Sequence, residues 1–449
     1  MSEKRKVKIM LDLLIETLKT FEGVEYLVRE TKTHRLESYN IKKQSEMRRE
    51  GEVTLLSLTL YVVFSEKNEA GKEKKYRGSY NTEIHPGTDA EKLREIISLG
   101  VFAAGFVKNE YYPLVSPASP AGELPCPPNI DSAQALDDLQ AAFYESDNHS
   151  QGHISYSEFY ITKNHVRILN SSGVDVSYTT HNAFIETAVH MQSVSAGEIE
   201  ICESYRFSLH IGVNAAASML KGRVAQLFAT AAEKAAAKPT PTVGDINILL
   251  TGECLATYFS YYRECADASM VYQQLSTFEE GTQVQGGGNS DRITLTLDPL
   301  MQGSSNSRPY DDLGQPLASH TIISDGKLVK YCGSTRFAYY LNIEPTGYIE
   351  NVRISGGTAA NTDLRKEPYL ELVSFSDFQA NPITGDFGSE IRLGFYFDGE
   401  TVVPVTGGSI SGNMAKVHDT LRMSVEERQY NDYLGPATIC IRGASISGM

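Results

Sequence analysis

The side chains that most often carry catalysis or bind metals have no familiar spacing in this sequence. Ten histidines are present, and none forms a His-Glu-x-x-His pair. His181 and His190 are nine residues apart, which is not the spacing of two ligands on one face of a helix. No Gly-x-Ser-x-Gly sequence marks a nucleophilic serine. We therefore expect the histidines to be structural or exposed, and the motifs alone supply no active site.

The cysteines give no sign of a metal site or of a disulfide framework. They contain no Cys-x-x-Cys pair and are scattered over the chain as Cys126, Cys202, Cys254, Cys265, Cys332 and Cys440. Thiols with such spacing usually remain reduced in the cytoplasm, so we expect free cysteines.

Two local clusters have both a chemical and a structural interpretation. Gly286-Gly-Gly288 is not followed by the Lys-Ser/Thr that a phosphate loop needs, so a flexible loop is favoured. Asp311 and Asp312 offer paired carboxylates, but acidic residues ahead of a glycine more commonly cap the amides of a turn. We expect a loop and a turn.

Composition and charge limit the classes of partner. Apolar residues make up 41% of the 449 residues, which is enough for a sizeable core. The formal net charge is −15, and a negative field of this size repels phosphate backbones, so we expect no direct nucleic-acid partner. The first apolar positions are interrupted by Asp12, Glu16 and Lys19, and no run of 18 apolar residues occurs, so we expect no secretion signal, no membrane span and a cytoplasmic location.

The first 112 residues have the pattern of an α/β unit. Apolar residues at Val7, Met10, Leu11, Leu14, Leu18 and Phe21 recur at helical spacing before Gly23. Residues 52–64 alternate as in a strand, and the turn at 68–71 leads to a partner strand near 74–80. Thr88-Asp-Ala-Glu91 has the form of a capping box ahead of an apolar run that ends at Val107.

The remainder divides at prolines and at changes in pattern. Six prolines make residues 113–128 a connector. Residues 129–237 predict a helix over 131–145, a β-meander around the turn at 170–173 and an Ala-rich helix. Residues 238–449 read as a β-rich C-terminal domain. The predicted fold class is α+β: an N-terminal α+β region with antiparallel strands and helices, followed by a β-rich C-terminal domain.

Several segments form an ordered run, mostly after position 240: residues 246–256, 298–300, 311–314, 322–328, 345–347, 381–387 and 404–413, with an earlier one over 166–180. In order and approximate spacing these segments resemble the TldD/PmbA family. Members of this family have also been called modulators of DNA gyrase.

The resemblance implies one of two kinds of subunit. TldD-like subunits have a zinc-peptidase motif, His-Glu followed by three residues and His, in which two imidazoles bind zinc and the Glu acts as general base. PmbA/TldE-like subunits lack it. At this place the present chain has Gly252-Glu253-Cys254-Leu255-Ala256-Thr257, with Gly252 and Thr257 where the histidines should be. The resemblance therefore implies no metal and no catalytic residue in this chain, with Glu253 as a weak candidate.

TldD-like subunits also supply a cysteine ligand near the C-terminus. The corresponding residues here, 429–436, contain no cysteine. Cys440 lies in a predicted strand and is expected to be a buried small hydrophobe. Cys254 is either a ligand or nucleophile within the degenerate motif, or a core position, and the core is favoured because no histidine lies within five residues of it.

The family likeness implies a subunit of a cytoplasmic metallopeptidase complex that degrades unfolded peptides. We expect a homodimer, or a heterodimer in which a TldD-like partner holds the zinc, with peptides as substrates. An independent peptidase with an unrecognised site and a non-enzymatic protein-binding regulator of the gyrase-modulator type remain alternatives. Gly356, Gly357, Gly407 and Gly408 either line a peptide cavity or form tight turns between strands, and the turns are favoured.

Overall fold

The structure is a computed structural model of the chain. It describes residues 3–67, 71–125, 130–147, 149–193, 197–287 and 290–449, and the side chains from residue 10 onwards within these ranges. Some features of the sequence analysis lie outside the described residues. They are part of the predicted turn at 68–71, Cys126, the last two prolines of the connector, Gly288 and the side chain of Val7.

The N-terminal half alternates long strands with helices. Its elements are α1 (Glu3–Leu18), β1 (Val24–Ile41), β2 (Gln44–Lys67), β3 (Glu73–Ile84), α2 (Ala90–Ala104), β4 (Asn109–Glu110), α3 (Ser132–Glu145), β5 (Gly152–Asn170), β6 (Asp175–Ser193), β7 (Gly197–Ser208) and α4 (Val213–Ala235).

All seven strands of this half form one antiparallel sheet in the order β4-β3-β2-β1-β5-β6-β7. Strand β1 pairs with both β2 and β5, so residues 1–112 and 129–237 share a sheet rather than forming two separate ones. The division at residues 113–128 thus does not coincide with a break in the sheet. Strand β7 is an edge of the sheet.

The sheet packs on its helices through two apolar clusters. The alternation predicted in β2 buries Leu56, Leu58 and Leu60, which pack with α1 and α2. Helices α3 and α4 cover the β5-β6-β7 side, where Phe143 and Phe159 are fully buried.

Helix α2 begins one residue later than the capping box predicts. The carboxylate of Asp89 accepts the Lys92 N–H at 2.8 Å, whereas the Thr88 hydroxyl donates to the His85 carbonyl. Asp89 is therefore the N-cap, and its carboxylate satisfies a free amide of the first helical turn in place of the threonine hydroxyl.

The C-terminal half consists of short strands and short helices. Its elements are β8 (Lys238–Pro239), β9 (Asn247–Thr251), α5 (Cys254–Cys265), α6 (Ala268–Tyr272), β10 (Thr294–Leu297), β11 (His320–Ser324), β12 (Lys327–Leu328), α7 (Thr335–Leu341), β13 (Val352–Ser355), β14 (Tyr369–Phe375), β15 (Gln379–Ala380), β16 (Asp386–Phe397), β17 (Val402–Thr406), β18 (Ser409–Asn413), α8 (Met414–Val417), β19 (Arg422–Met423), β20 (Glu427–Tyr430), β21 (Tyr433–Pro436), β22 (Thr438–Ile441) and β23 (Ser445–Ser447).

Two mixed sheets enclose the largest apolar cluster. One has the order β12-β11-β10-β13-β21-β20, and the other contains β19-β22-β9-β14-β16-β17-β8 with β15, β18 and β23 beside it. Helix α5 contributes Leu255, Tyr258, Phe259 and Tyr262 to this cluster, all fully buried. The α+β class predicted from the sequence is confirmed. No helix within the described ranges is long and apolar enough to cross a lipid bilayer.

Candidate functional site

The degenerate motif lies at the junction between β9 and α5. Strand β9 is buried because it pairs in parallel with β14 and antiparallel with β22. Gly252 then turns the chain with a φ of +88°, a conformation that favours glycine. A Cβ at this position would lie 2.8 Å from the Val373 carbonyl oxygen. The local backbone therefore disfavours any side chain, histidine included, at Gly252.

A cavity of about 960 Å³ opens at this junction. Gly252, Glu253 and Thr257 line it, and so do residues 428 and 430–432, next to the place where TldD-like subunits supply their cysteine. The opposite wall comes from the N-terminal half, through helix α4 and five consecutive residues, 202–206, of edge strand β7. The two segments that the resemblance links to zinc binding thus surround one cavity.

Three carboxyl groups of the cavity are shifted toward their protonated forms. Burial, followed by the negative charge of Glu253, raises the pKa of Glu203 to about 7. Partial burial in the cavity also raises the pKa of Glu253, although its side chain remains accessible to solvent. The positive charges of Arg223 and Arg206 oppose this shift. Burial raises the pKa of Asp432, whose Oδ2 accepts a hydrogen bond from the Asn306 amide at 3.1 Å.

Four arginines give the same cavity positive charge: Arg206, Arg223, Arg365 and Arg428. The guanidinium of Arg223 donates to the Gln429 carbonyl at 3.1 Å, which ties helix α4 to the start of the 429–436 segment. Arg365 binds Glu371 through two hydrogen bonds of 2.9 and 2.6 Å. Groups of both signs therefore face the cavity, an arrangement suited to a zwitterionic ligand.

The 252–257 turn and the 429–436 segment are linked by packing. Tyr430 lines the cavity together with Gly252, and burial raises the pKa of its phenol. The ring of Tyr433, which is fully buried, stacks on that of Phe259 with 5.9 Å between the ring centroids. Phe259 lies on helix α5, which follows the turn directly, so this contact connects the two segments.

The cysteines near these segments are core residues. The Cys254 thiol is buried and donates to the Thr251 carbonyl at 3.3 Å, and burial raises its pKa well above the usual range. Cys440 is buried in β22, where burial raises its pKa to about 11. Both thiols remain protonated at neutral pH, which disfavours them as ligands or nucleophiles. The five cysteines that the structure describes are free, as predicted.

The four glycines considered as peptide-cavity lining lie elsewhere. Gly356, Gly357, Gly407 and Gly408 are not among the residues around the large cavity. A Cβ on Gly356 or Gly357 would lie within about 2 Å of a backbone oxygen, of Arg292 or Ser424 respectively. These glycines allow close approach of neighbouring chain segments.

The acidic pair and His181 have structural roles. Asp311 is buried and its Oδ1 accepts the amides of Leu313 and Gln315, each at 2.9 Å, so the predicted turn is confirmed. His181 is buried against the Ser132 hydroxyl at 3.0 Å, and burial lowers its pKa to about 4.

Sequence reasoning missed the N-terminal wall of the cavity. Glu203 and Arg206 lie some 50 residues before the motif, on a strand whose local signal is the alternation of Glu198 and Glu200 with two isoleucines. Alternation predicts a strand, but it does not show that this strand is an edge facing the 252–257 turn.

The fold is α+β, and its large cavity contains Gly252 and Thr257, the residues that the resemblance aligns with the two motif histidines. Residues 243–448 match the model of the PmbA/TldA metallopeptidase C-terminal domain. Over these residues the chain matches the PmbA/TldD family, as its segments predicted.

Solved structures share the whole fold at low sequence identity. A proposed modulator of a DNA gyrase from Thermotoga maritima aligns with a TM-score of 0.77 and 15% identity over 98% of this chain and 100% of that one. TldE from Thermococcus kodakarensis aligns with a TM-score of 0.76 and 16% identity over 98% and 100%. A proposed modulator of DNA gyrase from Bacteroides thetaiotaomicron aligns with a TM-score of 0.70 and 16% identity over 99% of each chain. No curated protein shows significant sequence similarity to the chain.

Proposed function

We propose that this chain is the PmbA/TldE-like subunit of a cytoplasmic peptidase complex, and that its cavity holds an extended segment of an unfolded peptide. The complex is a homodimer or, as favoured here, a heterodimer whose TldD-like subunit holds the zinc. The observation that carries the proposal is that residues 202–206, consecutive on edge strand β7, all line the cavity that also contains Gly252, Glu253 and Thr257.

An edge strand offers unpaired backbone amides and carbonyls. Successive side chains of a strand point to opposite faces, so five consecutive lining residues mean that the edge of β7 borders the cavity. An extended peptide can add to such an edge through main-chain hydrogen bonds, which do not depend on its sequence. Glu203, together with Arg206, Arg223 and Arg428, can bind the charged groups of the peptide.

The polar side chains that line the cavity support a role in binding a peptide rather than in hydrolysing it. No histidine is found among the described residues that line it. Glu253 has the place of the general base, but without a metal-bound water beside it the carboxylate has nothing to activate.

The test is peptide cleavage by the full chain, alone and mixed with a TldD-like subunit of the same organism that has an intact His-Glu-x-x-x-His motif. We expect the mixture to cleave an unfolded reporter peptide in a chelator-sensitive reaction and this chain alone to be inactive. Gln226, exposed on α4 at the cavity, is replaced by Trp to fill the space, with the exposed Gln134→Trp on α3 as control. Q226W should reduce cleavage at least several-fold and Q134W should leave it unchanged.

Two outcomes would redirect the proposal. Chelator-sensitive cleavage by this chain alone would support an independent peptidase. A mixture with no cleavage, together with binding to gyrase that persists at high salt, would support a regulatory protein instead.

A further inference from the structure

Two histidines and two glutamates meet on one face of the seven-stranded sheet. His153 on β5 lies directly opposite His190 on β6, and His190 lies opposite Glu200 on β7. Glu198 precedes Glu200 by two residues, so its side chain points to the same face. Four side chains from three strands, which we call the histidine cluster, thus converge: His153, His190, Glu198 and Glu200.

A bulge in β5 brings His153 to this face. The β5-β6 register shifts between Ile154 and Tyr156, and both Ile154 and Phe159 are buried although they are five residues apart. In a regular strand, residues an odd number apart face opposite sides, so the extra residue reverses the alternation. Without this extra residue, His153 would lie on the same buried face of the sheet as Phe159.

The distances within the cluster suit a bound cation. One ligand atom each from His153, His190 and Glu198 lie within 4.8 Å of one another. The Nδ1 of His190 is 3.5 Å from a carboxylate oxygen of Glu198. This distance is longer than a good N–H···O hydrogen bond. It is close to the roughly 3.3 Å between two ligands on a tetrahedral zinc ion with bonds of about 2.0–2.1 Å.

The second nitrogen of His190 is already oriented. Its Nε2 lies 2.8 Å from a carboxylate oxygen of Glu200, and this hydrogen bond orients the ring with its Nδ1 toward Glu198. Metal-binding histidines commonly donate their other N–H to a carboxylate in this way, which fixes the tautomer and the ring orientation.

We infer that His153, His190 and Glu198 bind a divalent transition-metal ion of the zinc class, with Glu200 as a positioning residue for His190. Two imidazoles and one carboxylate are a donor set that zinc accepts, and three protein ligands leave a fourth position for water. The competing arrangement is a protonated His190 held between two carboxylates with no metal.

A bound ion would join three strands at the edge of the sheet. Glu198 and Glu200 lie on β7, the strand that supplies residues 202–206 to the large cavity. An ion held by β5, β6 and β7 opposes separation of this edge strand, and it stabilises the folded chain because the unfolded chain does not assemble the site. This inference goes beyond the proposed function, and its test needs no peptidase activity.

The test is zinc binding by the full, untagged chain after removal of metals with a chelator. Titration against a chromophoric zinc chelator should show one tight site, and Co²⁺ should give the visible absorption of a tetrahedral N/O site. H153A, H190A and E198Q should each weaken zinc binding at least tenfold, and E200Q by about tenfold as an outer-shell change. The exposed His85→Ala is the matched control and should bind as the unmodified chain does.

A stability readout separates metal binding from damage to the fold. Zinc should raise the Tm of the unmodified chain and of H85A but not that of H190A or E198Q, while the metal-free Tm values of all four should agree within a few degrees. The inference is overturned if the unmodified chain binds no zinc, if H190A and E198Q bind it with unchanged affinity, or if excess Mg²⁺ displaces it.

Discussion

Glu203 on edge strand β7 and Glu253 at the start of α5 face the same cavity from opposite halves of the chain, and the charge of Glu253 contributes to the raised pKa of Glu203. Fifty residues separate them in sequence. Two acidic groups in one partly desolvated space do not ionise independently, so a proton is retained there near neutral pH. This proton should be visible in the stability of the protein.

The first prediction concerns Glu203→Gln. The folded chain holds the Glu203 proton up to a pKa of about 7, above the value of 4.5 for an unperturbed group. The stability from this group is therefore fully present below pH 4.5 and is lost as the pH rises through 7. Glutamine cannot ionise, so E203Q does not lose this stability as the pH rises. We subtract the free energy of unfolding of the unmodified chain from that of E203Q at each pH. This difference should be higher at pH 8 than at pH 5 by about 1–3 kcal/mol.

Urea denaturation at the two pH values measures this difference. Glu83→Gln, at an exposed position on β3, is the control and should show no such change with pH. Equal effects of E203Q and E83Q at both pH values would contradict the shifted pKa.

The second prediction concerns Gly252. Because of its φ of +88° and the Val373 carbonyl 2.8 Å from a built Cβ, Gly252→Ala should lower the free energy of unfolding by about 1–3 kcal/mol. Gly244→Ala is the control, since a Cβ there meets no atom within 4 Å and no left-handed φ is required. Chemical denaturation compares the two, and a loss at Gly244 as large as that at Gly252 would show that the backbone argument is wrong.

The third prediction concerns thiol reactivity in the native protein. Burial raises the pKa of all five described thiols, but Cys202 on β7 is exposed, whereas Cys254, Cys265, Cys332 and Cys440 are buried. An alkylating reagent at pH 7.5 should therefore modify Cys202 well before these four, as measured by mass spectrometry of digested samples over time. Rapid modification of Cys254 would instead favour its role as a nucleophile or ligand.

The fourth prediction concerns the turn at Asp311. Asp311→Ala removes the acceptor for the amides of Leu313, Gln315 and Tyr348, so it should lower the free energy of unfolding by about 2–4 kcal/mol. The neighbouring Asp312→Ala is the matched control: its carboxylate is 55% exposed in an ion pair with Arg308, and the loss should be below about 1 kcal/mol. Thermal and urea denaturation measure both losses, and a larger loss for Asp312→Ala than for Asp311→Ala would contradict the prediction.

Much of the chain could be predicted because its signals are local. The apolar residues of α1, the alternation in β2 and the helix of residues 131–145 follow from periodicity, which does not depend on distant contacts. The N-cap of α2 was placed one residue early, since Thr88 and Asp89 are both good caps and only the packed geometry selects between them.

The candidate site was predicted only in part. The ordered segments pointed to Gly252, Glu253 and Thr257 as the degenerate motif, and the structure places these residues in the wall of the large cavity. The glycines at 356–357 and 407–408, considered as lining of a peptide cavity, lie outside this wall. Glycine content indicates close approach of backbone without identifying which segment approaches.

The sequence by itself determined the α+β class, several helices and strands of the N-terminal half, and the family likeness. Only the tertiary structure decided that Glu203 and Arg206 share a cavity with Glu253, and that His153 lies beside His190. The first depends on which strand forms the edge of the sheet, and the second on a single extra residue in β5. Both are properties of strand pairing between distant segments, and strand pairing leaves no mark in the local pattern of either segment.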